Sequence, residues 1–119
     1  MSSETFENAV LDDGDLRAGL MAINPKFGDL CIRVAGEVWG APLLPQKVKA
    51  FVAMTVDVAN QGPCGPGSAF RAHLDMAVKQ GATRDEVEEL LTFLCCYCGM
   101  NKLPHFFAAA GEAFESERP

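Results

Sequence analysis

No stretch of this 119-residue chain approaches the ~18 uninterrupted apolar residues that a membrane-crossing helix needs, so no membrane partner is expected. No cluster of Lys and Arg interrupts a balance of sixteen acidic against ten basic residues, formal charge −6. Nucleic acid is therefore not an expected ligand. The opening MSSETFENAV has neither the basic start nor the apolar run of a secretory signal, which predicts a cytoplasmic protein. Period-two alternation, internal repeats and low-complexity segments are also missing, leaving helical periodicity as the organising pattern. The cysteines make an odd set, Cys31, Cys64, Cys95, Cys96 and Cys98, three of them crowded together. That is not a framework of secreted disulfides, and reduced thiols are the expectation.

What is present is enough chain for one core. Hydrophobic residues make up 49% and charged residues 22%, a globular composition that excludes intrinsic disorder. Apolar surface in surplus for this size implies a partner subunit.

Residues up to about Val10 are mostly polar and predict a loose arm, followed by a short helix from Leu11 to Ile23 that stops at Asn24-Pro25. In FGDLCIRVAGEVWG, Leu30, Val34 and Val38 fall at i, i+4 and i+8, a helix ended by Gly40, Pro42 and Pro45. Gln46 to Gln61 carries Val48, Phe51, Val52, Met54, Val56 and Val58 nearly all the way round, with Lys49 and Asp57 as its central charges. A helix of that kind is expected to be buried. The turn GPCGPG leads into Ser68–Gln80, where Phe70, Leu74 and Ala77 form the apolar stripe and His73 sits beside it. Gly81 stops that helix, and Thr83-Arg84-Asp85-Glu86 is a capping box that starts the next. This one runs to about Met100, with Val87, Leu90, Leu91, Leu94, Tyr97 and Cys98 on one stripe. Its second half loses the polar face, and Cys96 lies opposite the stripe, which predicts cover by another element or subunit. A last helix, about Leu103 to Phe114, holds His105, Phe106 and Phe107. The fold class is all-α.

The run RAHLDMAVKQGATRDEVEELL, followed by YCG, resembles the signature of the carboxymuconolactone decarboxylase family. The upstream GEVWGAPLLPQKVKAFVAM is similar to that family's Trp-Gly, proline and basic entry into a buried helix. The resemblance covers residues 27–114, leaving 1–26 as an N-terminal arm and short helix and 115–119 as a tail. It implies a compact multi-helix protomer of the alkylhydroperoxidase D-like type. It also implies a homo-oligomer, a trimer or hexamer, with active sites at or near subunit contacts.

Two chemistries occur among proteins of this kind. The peroxidase branch carries Cys-x-x-Cys at a helix start with a histidine four residues further on, where helix amides lower the thiolate pKa. Counting back from His73, those positions hold Pro66 and Ala69. Cys64 lies close by, so one thiol near His73 stays available, without a resolving partner in that segment. Cys95 and Cys98 form a Cys-x-x-Cys of their own near a helix C-terminus, where the dipole disfavours a thiolate. The plainer reading of that pair is small buried hydrophobes. Zinc wants four close ligands, and only His105, Cys64 and His73 remain to complete a set, so no metal and no cofactor is expected.

The decarboxylase branch needs no redox thiol. Loss of carbon dioxide from a carbon vinylogous to a lactone carbonyl leaves a dienolate. Its site must hold a carboxylate, stabilise charge on the carbonyl oxygen and reprotonate carbon. His73, at the family's histidine position, is the expected proton shuttle or oxyanion donor. Glu37 is placed to orient His73 or act as the acid, although Arg33 one turn away offers it an ordinary surface ion pair. Lys49 stands where the family usually has arginine, keeping the charge for a substrate carboxylate but losing the bidentate fork. Ala50 replaces a frequent glutamate, and Gly99-Met100-Asn101 replaces Gly-x-Pro, so Asn101 alters a pocket wall. Asp57 is costly to bury alone, so it either meets Lys49, Arg71 or His73 or faces the pocket. Trp39, Phe51, Tyr97 and Phe106 are candidates to line a cavity, with core packing as the alternative.

The sequence therefore reads as a carboxymuconolactone decarboxylase-like lyase on a small anionic lactone or cyclic carbonyl compound. Its expected catalytic residues are His73, Glu37 and Lys49, with Trp39, Cys64, Asp57, Tyr97 and Asn101 at the substrate. The alternatives are a thiol-dependent peroxidase or disulfide reductase using Cys64, and a non-catalytic oligomeric small-molecule binder.

Overall fold

Six α-helices and one 3-10 turn make up the computed structural model, which describes residues 5–116. The helices are α1 (Gly14–Ile23), α2 (Pro25–Trp39), α3 (Gln46–Ala59), α4 (Ala69–Lys79), α5 (Arg84–Cys98) and α6 (Pro104–Ser116), with the 3-10 turn Met100–Lys102 before α6. Among the described residues there is no strand, as the all-α expectation requires. The radius of gyration, 14.0 Å, is close to the ~13.5 Å of a compact chain of this length.

Local chemistry sets most helix starts. Asp13 accepts from the Leu16 amide, Asn24 from Lys26 and Phe27, and Ser68 from Arg71, each satisfying an amide that the first helical turn leaves unpaired. Thr83 and Glu86 form the reciprocal capping box that their spacing predicts. Gly81, at φ +91°, ends the turn after α4 in a backbone region where a side chain is strained. Gly28 lets α1 and α2 pack as a tight hairpin. A Cβ there would lie 2.7 Å from the Leu20 carbonyl oxygen.

The core sits between α3, α4, α5 and α6. Phe70 and Phe106 are fully buried and meet edge to face with centroids 5.0 Å apart. Met54, Val58, Leu74, Val87, Leu91 and Leu103 close around them. The α1–α2 hairpin is tied to this bundle by polar bonds at its base. Buried Asp13 meets Lys79 at 2.9 Å, and Gln46 donates to the Trp39 carbonyl while accepting from the Ala9 amide.

Five sequence expectations need correction. The arm is not loose as far as Val10, because Ala9 and Val10 are buried, and Asn8 holds the turn by accepting from the Val10 and Leu11 amides. The helix that follows starts at Gly14, since Asp13 serves as its cap. α3 is not buried all round. Ala50, Met54 and Val58 face the core, while Val48, Val52 and Val56, also four residues apart, are exposed. Tyr97 is off the core stripe of α5, 76% exposed against Phe93. Of the expected C-terminal tail, Glu115 and Ser116 continue α6, and 117–119 lie outside the described residues, as does the segment 1–4 of the arm.

Candidate active site

α3 and α4 fold back on one another across the GPCGPG loop, and their facing sides bring Asp57 to His73. The Asp57 Oδ2 to His73 Nδ1 distance is 2.6 Å, with side-chain exposures of 16% and 29%. A carboxylate only accepts, so the Nδ1 proton is held in this bond and Nε2 is the nitrogen left to exchange protons. The bond also fixes the plane of the ring, the arrangement that suits an imidazole to general acid–base work. Of the three partners open to Asp57 from sequence, the structure selects His73.

The other two cations are engaged elsewhere. Arg71 Nη1 bonds Glu112 Oε1 on α6 at 2.9 Å. Lys49 Nζ donates to the carbonyls of Ala41, Trp39 and Val38, at 2.6, 2.8 and 3.4 Å. These groups close the C-terminal end of α2, where carbonyls lack helical partners and a cation is favoured. The geometry therefore gives Lys49 a capping task and leaves its ammonium committed to the backbone.

Cys64 lies in the α3–α4 loop, half-buried, with its Sγ 3.4 Å from the His105 carbonyl oxygen. Burial pushes its thiol up, Arg71 opposes that and Glu112 adds to it. A thiol that donates to a carbonyl and resists ionisation is the opposite of an activated peroxidatic cysteine. All five cysteines are free, with Cys95 and Cys98 half-buried on α5 and Cys96 exposed.

None of the remaining candidates makes a hydrogen bond or ion pair with His73 or Asp57 among the described residues. Glu37 is exposed on α2, and its carboxylate makes no hydrogen bond or ion pair among the described residues, while the carboxylate that meets His73 is that of Asp57. Arg33, offered to Glu37 by spacing, pairs with Asp29 at 2.9 Å. Trp39 is half-buried at the end of α2, Tyr97 is exposed on α5 and Asn101 is exposed in the 3-10 turn. Phe106 is core and Phe51 packs partly against it. Among the described residues, no group of three His, Cys, Asp or Glu is placed to hold a metal ion. No helix there is long and apolar enough to cross a membrane.

Two cavities, ≈ 560 and ≈ 540 Å³, are lined by neither His73 nor Asp57. The larger one runs along Arg71, Leu74, Asp75 and Val78 of α4. Those positions share one face of the helix, and His73 lies on the other. Val52 and Val56 of α3 are exposed as well.

The model of the carboxymuconolactone decarboxylase family matches residues 25–112, a span holding both Asp57 and His73. The chain is similar to the 4-carboxymuconolactone decarboxylase of Acinetobacter baylyi, 33% identical over 78 residues. That match covers 65% of this chain and 55% of the relative, so the chain spans little more than half of that protein's length. No solved structure matches the chain significantly.

Proposed function

The chain belongs to the carboxymuconolactone decarboxylase family, and on that premise we propose that it is a carboxy-lyase acting on a small anionic lactone or cyclic carbonyl compound by general acid–base chemistry. The observation that carries the reading is the 2.6 Å pairing of His73 with Asp57 in a half-buried position. In the step assigned to it, the bond between the substrate carbon and its carboxylate breaks and carbon dioxide leaves. The electron pair passes through the conjugated system to the lactone carbonyl oxygen. The resulting dienolate takes a proton on carbon from Nε2 of the His73 imidazolium, and the neutral ring is reprotonated from water. Asp57 is the positioning residue, holding Nδ1 so that Nε2 faces the substrate and stabilising the ring when it is charged.

A second copy of the chain completes the site in this reading. Val48, Val52 and Val56 of α3 are exposed, as are Phe27, Leu30, Val34 and Val38 along α2, and large apolar side chains left to water in that number favour a partner surface. Trp39, Tyr97, Asn101 and Glu37 then join the substrate site across such a contact.

The test is release of carbon dioxide from a panel of carboxylated lactones and cyclic ketones, for wild type and His73→Ala, with the oligomer measured by sedimentation. Turnover by wild type that is lost in His73→Ala supports the reading. Saturable binding without turnover by either protein would leave a binder and not a lyase, and full activity in His73→Ala would remove the imidazole from the mechanism.

A further inference from the structure

The ≈ 560 Å³ cavity on the far side of α4 from His73 has features that the acid–base site does not use. Its volume is in the range of small-ligand pockets. Leu16 and Leu20 of α1 form one wall, Leu74 and Val78 of α4 the other, and Phe114 of α6 contributes to the lining. Because Asp13, the cap of α1, bonds Lys79 at the end of α4, the two helices run in opposite directions along the cavity.

That arrangement separates the charges. Asp15 stands at the same end as Lys79, Asp75 lies midway along α4, one turn from Arg71 and one from Lys79, and Lys79 is already bonded to the carboxylates of Asp13 and Asp75. Its charge is balanced, and the carboxylates there exceed the cations. At the other end, near Gly67 and Ile23, stands Arg71. Its side chain is only 17% exposed, and of its five N–H donors one bonds a protein acceptor, Glu112 Oε1, among the described residues. One end of an apolar trough thus offers unused charge-assisted donors, and the other repels anions.

We infer that this cavity binds a small monocarboxylate with an apolar body, its carboxylate on Arg71 and its tail between α1 and α4, at a site separate from His73 and Asp57. A dicarboxylate of the same length is disfavoured, because its second charge falls beside Asp15, where Lys79 is already paired with Asp13 and Asp75. Gly19 provides a clean way to close the trough. It lines the cavity, and a Cβ built there meets nothing within 4 Å, so a larger side chain can start from this position without a backbone clash.

The experiment is calorimetric titration of the full chain with octanoate, and with octanedioate as its two-headed counterpart, alongside sedimentation of every variant. Octanoate binds wild type saturably, octanedioate at least about tenfold more weakly, and Gly19→Phe abolishes binding. Arg71→Gln weakens it about tenfold or more, as loss of a charge-assisted bond to a carboxylate does. Glu112→Gln, which frees Arg71, tightens it, and His73→Ala leaves it unchanged. Absence of saturable octanoate binding overturns the inference, as does binding that survives Gly19→Phe or is lost in His73→Ala. If Gly19→Phe instead dissociates an oligomer, a neighbouring copy fills the trough and the small-molecule assignment falls.

Discussion

The Nδ1 of His73 and the Oδ2 of Asp57 lie 2.6 Å apart, joining α4 to α3 across sixteen positions of sequence. Both side chains are mostly sheltered yet neither is sealed off, so the ring is held in one orientation while its other nitrogen can reach a ligand. A carboxylate that fixes an imidazole acts on the rate of proton transfer more than on substrate affinity.

Asp57→Asn keeps the volume of the side chain and removes its charge. We expect kcat to fall about 100-fold, the order of a positioned general acid–base contribution, with KM little changed and the helical circular dichroism intact. An undiminished kcat in this variant would show that Asp57 only packs against the ring.

Lys49→Met withdraws the ammonium from the carbonyls of Val38, Trp39 and Ala41. Stability should drop by about 2 kcal/mol, the range for a hydrogen-bonded charge at a helix C-terminus, measured by denaturant unfolding. If unfolding is unmoved and KM for an anionic substrate rises, Lys49 binds substrate and its capping role is dispensable.

Cys64 should alkylate more slowly than a free thiol at neutral pH, since burial raises its pKa and its Sγ is within hydrogen-bonding distance of the His105 carbonyl oxygen. Mass-resolved alkylation of the native protein reads this directly, and Cys64→Ser should retain lyase activity. Rapid modification below about pH 7, with reversible oxidation by peroxide, would restore the thiol-dependent alternative.

Glu86 links α5 to α3. The Thr83 amide and the Lys47 ammonium hold its carboxyl below the usual carboxylate range. A group depressed in the folded state stabilises the fold above its unfolded pKa, about 4.3 for glutamate, and loses that contribution as pH falls through the folded value. The melting temperature should therefore decline with acid below about pH 4.3. Glu86→Gln should lower the plateau near neutrality and flatten the part of that decline that belongs to this group. An identical acid limb in both proteins would mean the bridge carries no pH dependence.

Much of the architecture was legible in the chain because it depends on neighbours a few residues apart. Thr83 and Glu86 cap α5, Ser68 caps α4 and Gly81 ends the turn that follows, and each is a contact within three or four positions. The family resemblance likewise rests on contiguous motifs, and the family match spans 25–112. His73 was singled out by its place in such a motif, and Asp57 by the cost of burying a lone carboxylate on an apolar helix.

Which partner Asp57 takes was not decided by that pattern. Lys49, Arg71 and His73 were equally consistent with it, and the choice follows from how α3 crosses α4, how α2 ends over Lys49 and where α6 presents Glu112. The same holds for the exposed stripe of Val48, Val52 and Val56. Periodicity reports how much of a helix is apolar, whereas burial depends on what packs against each face, and α3 has far more apolar surface than its own protomer covers. Capping and helix periodicity are short-range and so belonged to the sequence. The pairing of the acid–base residues, the diversion of Lys49 and the trough beside α1 depend on helix placement, which tertiary packing alone decided.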